Sequence, residues 1–144
     1  MVATRRLAPA VNQSILVTDS NSVHRRQIVV ALENAGFQVI RASSCHEALS
    51  ICRQNAYPIL ALITKIEMPD MSGINLARAA RRVRANLPVF YISERLQDAS
   101  DLSENLADEV TCVPSTIALQ ALVSRVTLLL AQASRIPPTT ANSA

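Results

Sequence analysis

Several polar side chains stand directly after apolar runs, where strand ends would bring them together. Asp19 and Ser20 follow Ile15-Leu16-Val17-Thr18, Lys65 follows Ile59 to Thr64, and Ser93 follows Val89 to Ile92. A carboxylate beside two hydroxyls can hold a cation, and hydroxyls with backbone amides can hold an anion. An ammonium in the same place does neither job in the same way: it repels a metal ion and pairs with the carboxylate. Lys65 is the single lysine among fourteen basic residues. At about 4 Å and an effective dielectric near 20, a Lys65–Asp19 pair attracts by about 4 kcal/mol before desolvation is subtracted. Such a pair, with Glu67 or Glu94 as a further partner, fixes geometry more than it adds stability. The alternative is that the Lys65 stem lies along apolar surface with its head in water.

The elements that must position these groups follow from local pattern. Ser14 to Thr18 reads as a strand, and residues 19–22 supply turn and N-cap chemistry for a helix from Val23 to Ala35. Gly36 falls where a left-handed cap residue belongs. Phe37 to Arg41 is a second strand, and Ser44 with Glu47 makes a capping-box pattern for a helix to about Asn55. Ile59 to Thr64 is a third strand, apolar on both faces and therefore central. Lys65 to Ser72 is a loop, and the helix from Ile74 to Ala85 turns Leu76, Ala80 and Val83 inward. Pro88 opens a fourth strand, residues 99–106 form a short helix, and Glu109 to Val113 a fifth strand. Ser115 caps a long final helix to about Ala133. Residues 1–13 read as a flexible leader, 14–133 as one domain, and 134–144, with Pro137 and Pro138, as a flexible tail or the start of a linker.

Alternating strands and helices predict an α/β fold, a doubly wound five-stranded parallel sheet with helices on both faces. Chemistry in such sheets gathers at the carboxyl ends of the strands, which selects Asp19, Ser20, Lys65, Ser93 and Val113.

Composition limits the rest. In 144 residues, 49% are hydrophobic and 17% charged, which excludes a disordered chain. No apolar run approaches the roughly 18 residues of a membrane span. Through Phe90 eleven basic residues face five acidic ones; beyond it three face six, so the halves carry +6 and −3. Cys45 and Cys52 stand seven apart on one helix, about 10 Å along its axis, too far for a disulfide. Buried thiols in a reducing, cytoplasmic setting fit them.

The segments Ile15-Leu16-Val17-Thr18-Asp19, Glu47-Ala48-Leu49, Met68-Pro69-Asp70-Met71-Ser72-Gly73 and Pro88-Val89-Phe90-Tyr91-Ile92-Ser93 together resemble the receiver domain of bacterial two-component response regulators, in order from Ser14 to Ala133. The resemblance implies the flavodoxin-like (βα)5 fold with strand order 2-1-3-4-5. It also implies an aspartyl switch: a phosphoacceptor carboxylate ending the third strand, an acidic pair holding Mg²⁺, a Ser or Thr after the fourth strand, and a lysine ending the fifth. Transferred residue by residue, the acceptor position is Lys65, the acidic pair is Asp19 with Ser20, the hydroxyl is Ser93, and the lysine position is Val113. The aromatic switch position three residues earlier is Val110. The expectation is a degenerate, non-enzymatic receiver with no metal or cofactor, acting as a phosphorylation-independent protein-interaction module. The resemblance points to the surface of the fourth helix, fifth strand and fifth helix for a protein partner or a homodimer. Asp98, Asp101, Glu104, Leu119, Val123 and Leu128 are its candidate residues. A pocket still holding a metal or small anion is the alternative.

Other signals are weaker. Arg78, Arg81, Arg82 and Arg84 crowd one helix and could meet nucleic acid, but no aromatic residues accompany them, so a solvated face is the expectation. Arg95 to Asp98 reads as an ion pair one helical turn apart rather than a cyclic-dinucleotide motif. His24 and His46 lack ligand spacing and read as surface or half-buried histidines.

Overall fold

The computed structural model describes residues 14–54, 58–93, 109–112, 119–128 and 130–131. The strands are β1 (Ser14–Thr18), β2 (Gln38–Ala42), β3 (Ile59–Lys65), β4 (Val89–Ser93) and β5 (Glu109–Cys112). The helices α1 (Ser22–Asn34), α2 (Cys45–Arg53) and α3 (Gly73–Val83) alternate with them. Residues 119–128 and 130–131 are helical and are called the final helix below. The expected short helix at 99–106, the cap at Ser115 and Val113 lie outside the described residues.

All pairings are parallel. β1 lies between β2 and β3, β4 follows β3, and β5 borders β4. The two central strands are apolar on both faces for a simple reason: each face is covered. Leu16 and Leu62 point into a core with Cys45, Ala48 and Cys52 of α2 and Leu76, Ala77 and Ala80 of α3. Ile15, Val17, Ala61 and Ile63 point the other way, onto Ile28, Val29 and Leu32 of α1 and Leu122, Val126 and Leu130 of the final helix. Each fully buried aliphatic side chain of this kind contributes about 1.5–3 kcal/mol.

Helix ends follow local chemistry closely. Asn21 caps α1, its side chain accepting from the His24 N–H at 2.9 Å. At the other end Gly36 has φ 98, its N–H donates to Glu33 O at 2.9 Å, and Phe37 N–H donates to Leu32 O at 3.1 Å. That pair of bonds is a Schellman cap, which the left-handed glycine makes accessible. Ser44 caps α2 by accepting from Glu47 N–H at 3.1 Å. The returning arm of the expected capping box lands one residue early: Glu47 Oε1 accepts from Ser43 N–H at 2.9 Å and Ser43 Oγ at 3.1 Å.

In α3, Leu76 and Ala80 are buried as expected, whereas Val83 is 51% exposed. The reason is that the helix stops there, and the chain turns away so that Leu87 fills the core instead. Arg84 leaves the arginine face altogether. Its guanidinium donates to Cys52 O at 2.9 Å and Gln54 O at 3.0 Å, supplying the open carbonyls at the end of α2. Arg81 Nε donates to Leu87 O at 3.0 Å, while Arg78 and Arg82 are exposed. No helix among the described residues is long and apolar enough to cross a membrane.

Candidate functional site

The carboxyl ends of β1 and β3 meet because Thr18 is in register with Thr64, which makes Asp19 and Lys65 the next residues on adjacent strands. Lys65 in turn is in register with Ile92 of β4, one residue before Ser93. Asp19, Ser20, Lys65 and Ser93 are thus brought to one edge of the sheet by the parallel register. The backbone of Ser93 pairs with Cys112 in β5, the residue before Val113.

Asp19 is fully buried, and α1 holds it. Its Oδ1 accepts from the Asn21 N–H at 2.9 Å, and its Oδ2 lies 3.1 Å from Nδ1 of His24. Its carbonyl accepts from Arg25 Nη1 at 2.7 Å. Asp19 thus has His24, 19% exposed on the first turn of α1, as a side-chain partner that the sequence reading did not name. The spacing explains it: a helix capped at Asn21 turns its third residue back over the strand end that precedes it. A carboxylate followed by a helix start and a histidine five residues on was a readable signal, and the lack of metal-ligand spacing hid it. Lys65 and Glu67 are both half-buried in the stretch ending β3 and opening the loop, and Ser20 is exposed.

The loop after β3 is fixed by backbone bonds. Ile66 N–H donates to Ile92 O, and Gly73 N–H returns to Ile66 O, both at 2.9 Å. Asp70 serves this frame from the middle of the Met-Pro-Asp-Met-Ser-Gly run. Its carboxylate accepts from Cys45 N–H at 3.2 Å and His46 N–H at 2.9 Å, and lies 2.7 Å from His46 Nδ1. Burial pushes the Asp70 carboxyl up, but the His46 and Cys45 amides and the His46 ring outweigh it and hold it at about 2. Burial and the nearby Asp70 charge push the Cys45 thiol up to about 12, and burial raises Cys52 as well. Both are free, buried and chemically quiet.

Magnesium asks for an octahedron of oxygen ligands and keeps them at short range. The donors at the strand ends do not fit that demand. Asp19 already spends both carboxylate oxygens on α1, and a lysine stands at the end of the neighbouring strand. Among the described residues no group of three or more His, Cys, Asp or Glu side chains could hold a metal ion. Thr18 Oγ1 is buried there with no hydrogen-bond partner among the described residues.

On the proposed contact face, Leu119 and Val123 are half-buried against the core under the final helix, so they serve packing first. Leu128 is 59% exposed. Asp98, Asp101 and Glu104 lie outside the described residues, as do Glu94, Arg95 and the Arg95–Asp98 pair.

A family model described as the response regulator receiver domain matches residues 15–126. The chain is 30% identical over 131 residues to the virulence transcriptional regulatory protein PhoP of Salmonella typhimurium, covering 86% of this chain and 58% of PhoP. It is 35% identical over 79 residues to the response regulator receiver protein CpdR of Brucella abortus, covering 55% of this chain and 64% of CpdR. The chain thus spans somewhat over half the length of these curated relatives. Among solved structures it superposes on a CheY-like receiver domain from Methanospirillum hungatei with a TM-score of 0.75 at 19% identity, covering 87% of this chain and 98% of that one. It also superposes on TrrA from Thermotoga maritima, solved in complex with Mg(2+)-BeF, with a TM-score of 0.67 at 27% identity, covering 79% and 98%.

Proposed function

Because the chain belongs to the response regulator receiver domain family, we propose that it is a two-component receiver working without aspartyl phosphorylation, as a non-enzymatic protein-interaction module. The observation that carries this reading is that β3 ends on Lys65, four residues before Pro69, at the position the family resemblance gives to the phosphoacceptor. An acyl phosphate requires a carboxylate nucleophile, and its transfer requires cations around the phosphoryl oxygens. A lysine offers no carboxylate. Ser20 stands where the second acidic residue would be, and Val113 where the second cation would be. The engagement of Asp19 by His24 and Asn21 supports a pocket held in one arrangement rather than one awaiting a metal.

In this reading Asp19, Lys65 and Glu67 form a fixed charged edge in place of a switch. A partner protein or a second copy binds through the final helix, with Leu128 as its exposed apolar contact. The two quiet, buried thiols fit a cytoplasmic setting.

The test is an amide NMR spectrum with and without Mg²⁺ plus beryllofluoride, with a phosphorylatable receiver as positive control. The expected result is no saturating shift at Thr18, Lys65 or Ser93. Saturating shifts at those amides would overturn the reading and make a metal- or anion-regulated receiver the better description.

A further inference from the structure

A cavity of about 410 Å³ opens beside the N-terminal half of α1, lined by Ser22, Arg25, Arg26, Val30 and Arg41. Three arginines line it, and no Asp or Glu is among its described lining residues. We infer that this cavity is a binding site for a small ligand carrying two or more phosphate groups, independently of whether the strand-end pocket is phosphorylated.

The convergence has a structural cause. Ser22, Arg26 and Val30 are spaced four apart, and Arg25 precedes Arg26, so these side chains share one side of α1. Arg41 lies two residues after Val39 on β2 and so shares its face, and Val39 packs on the α1 side of the sheet. The helix and the edge strand therefore bring basic residues of distant sequence to one opening. Arg25 is already oriented by its bond to Asp19 O at 2.7 Å, which leaves further N–H donors for a ligand. Among the described residues, Arg26 and Arg41 have neither a hydrogen-bond nor an ion-pair partner. Three like charges around one opening repel, and an anion in the opening relieves that repulsion. Guanidinium forks match phosphate oxygens in pairs. The first turn of α1 adds the positive end of a helix dipole and the Ser22 hydroxyl.

Size and placement favour a small molecule over nucleic acid. The volume lies within the roughly 300–1,000 Å³ of ligand pockets. Of the other exposed arginines among the described residues, Arg53 is on α2 and Arg78 and Arg82 are on α3, both helices packing on the opposite face of the sheet from α1, while Arg125 is on the final helix. Arg53, Arg78 and Arg82 therefore cannot extend the α1 opening into the continuous stripe that a nucleic-acid backbone tracks.

The test uses the full 144-residue chain and calorimetric and amide NMR titrations with inorganic pyrophosphate, orthophosphate, adenosine diphosphate and a short DNA duplex. Pyrophosphate is expected to bind one-to-one, shifting Ser22, Arg26 and Arg41, about tenfold more tightly than orthophosphate. Arg26→Gln and Arg41→Gln should each weaken it by about tenfold, with amide spectra that remain folded. The Arg78→Gln, Arg82→Gln double variant should bind as the parent does. Adenosine diphosphate binding more tightly than pyrophosphate supports the site with a nucleotide as its ligand; equal binding supports it with the phosphate chain alone as the determinant. The inference is overturned if pyrophosphate binds no better than orthophosphate, or if the α3 double variant weakens it as much as the α1 and β2 variants do. It is also overturned if the duplex saturates the same amides more tightly than either small ligand.

Discussion

Gly73 lies against the backbone of Lys65, so close that a methyl group on its Cα would overlap Lys65 O and sit 3.0 Å from the carbonyl carbon. The start of α3 is thereby pressed onto the end of β3, and the backbone that carries Lys65 is held by the helix that follows it. Gly73 keeps an ordinary helical backbone, so the requirement is space and not a left-handed dihedral.

Gly73→Ala should therefore destabilise the domain by about 1–3 kcal/mol, as overpacking against rigid backbone does. Ile66 Cα, 3.1 Å from the added methyl, blocks the other direction of escape. Urea unfolding monitored by circular dichroism reads the change, and an unaltered midpoint would show that α3 does not rest on Lys65.

Asp70 should make stability depend on acid pH. Its carboxyl is depressed from 3.8 to about 2, so its contribution is full above the ordinary value and is lost as pH falls through the folded one. The parent should lose stability between about pH 4 and pH 2 relative to Asp70→Asn. The difference between the two proteins should be largest near neutrality and shrink across that window. Parallel melting curves from pH 6 to pH 2 check the sign; a gap that widens in acid contradicts the role of Asp70 in holding the first two amides of α2.

Asp19 and His24 should be energetically coupled. A double-mutant cycle with Asp19→Asn and His24→Gln is expected to give about 1 kcal/mol of coupling, in the range for residues sharing one hydrogen bond. The same cycle with Lys65→Met in place of His24→Gln should give less. A larger coupling to Lys65 would make lysine the main counter-charge of Asp19.

Thr18→Val should stabilise. The Thr18 hydroxyl is fully buried and meets no hydrogen-bond partner among the described residues, whereas a methyl in its place forfeits nothing polar. The gain should be about 1 kcal/mol, the lower end of the cost of an unsatisfied buried group. Thermal melts of the two proteins decide it, and a loss of stability would mean that the hydroxyl has a partner in solution.

What the sequence by itself determined was whatever depends on a few neighbouring residues. Apolar runs set β1 and β3, because a strand covered on both faces needs no polar side. Gly36 and Ser44 marked the ends of helices, because caps are made within one turn. The order of the polar residues after each strand placed Asp19, Lys65 and Ser93 at one edge of the sheet once the strands were taken as parallel. Partners separated by many residues were left to the tertiary structure. Asp70 reaches His46 across 24 positions and Arg84 reaches Cys52 across 32, and neither pairing has a local signature. His24 and Val83 mark a subtler limit: helical spacing gives a side chain's direction along a helix, while what it meets depends on where that helix starts, stops and lies on the sheet. Arg26 and Arg41 share a cavity for the same reason, since only the parallel register of β1 with β2 and the packing of α1 across them bring the two charges to one opening.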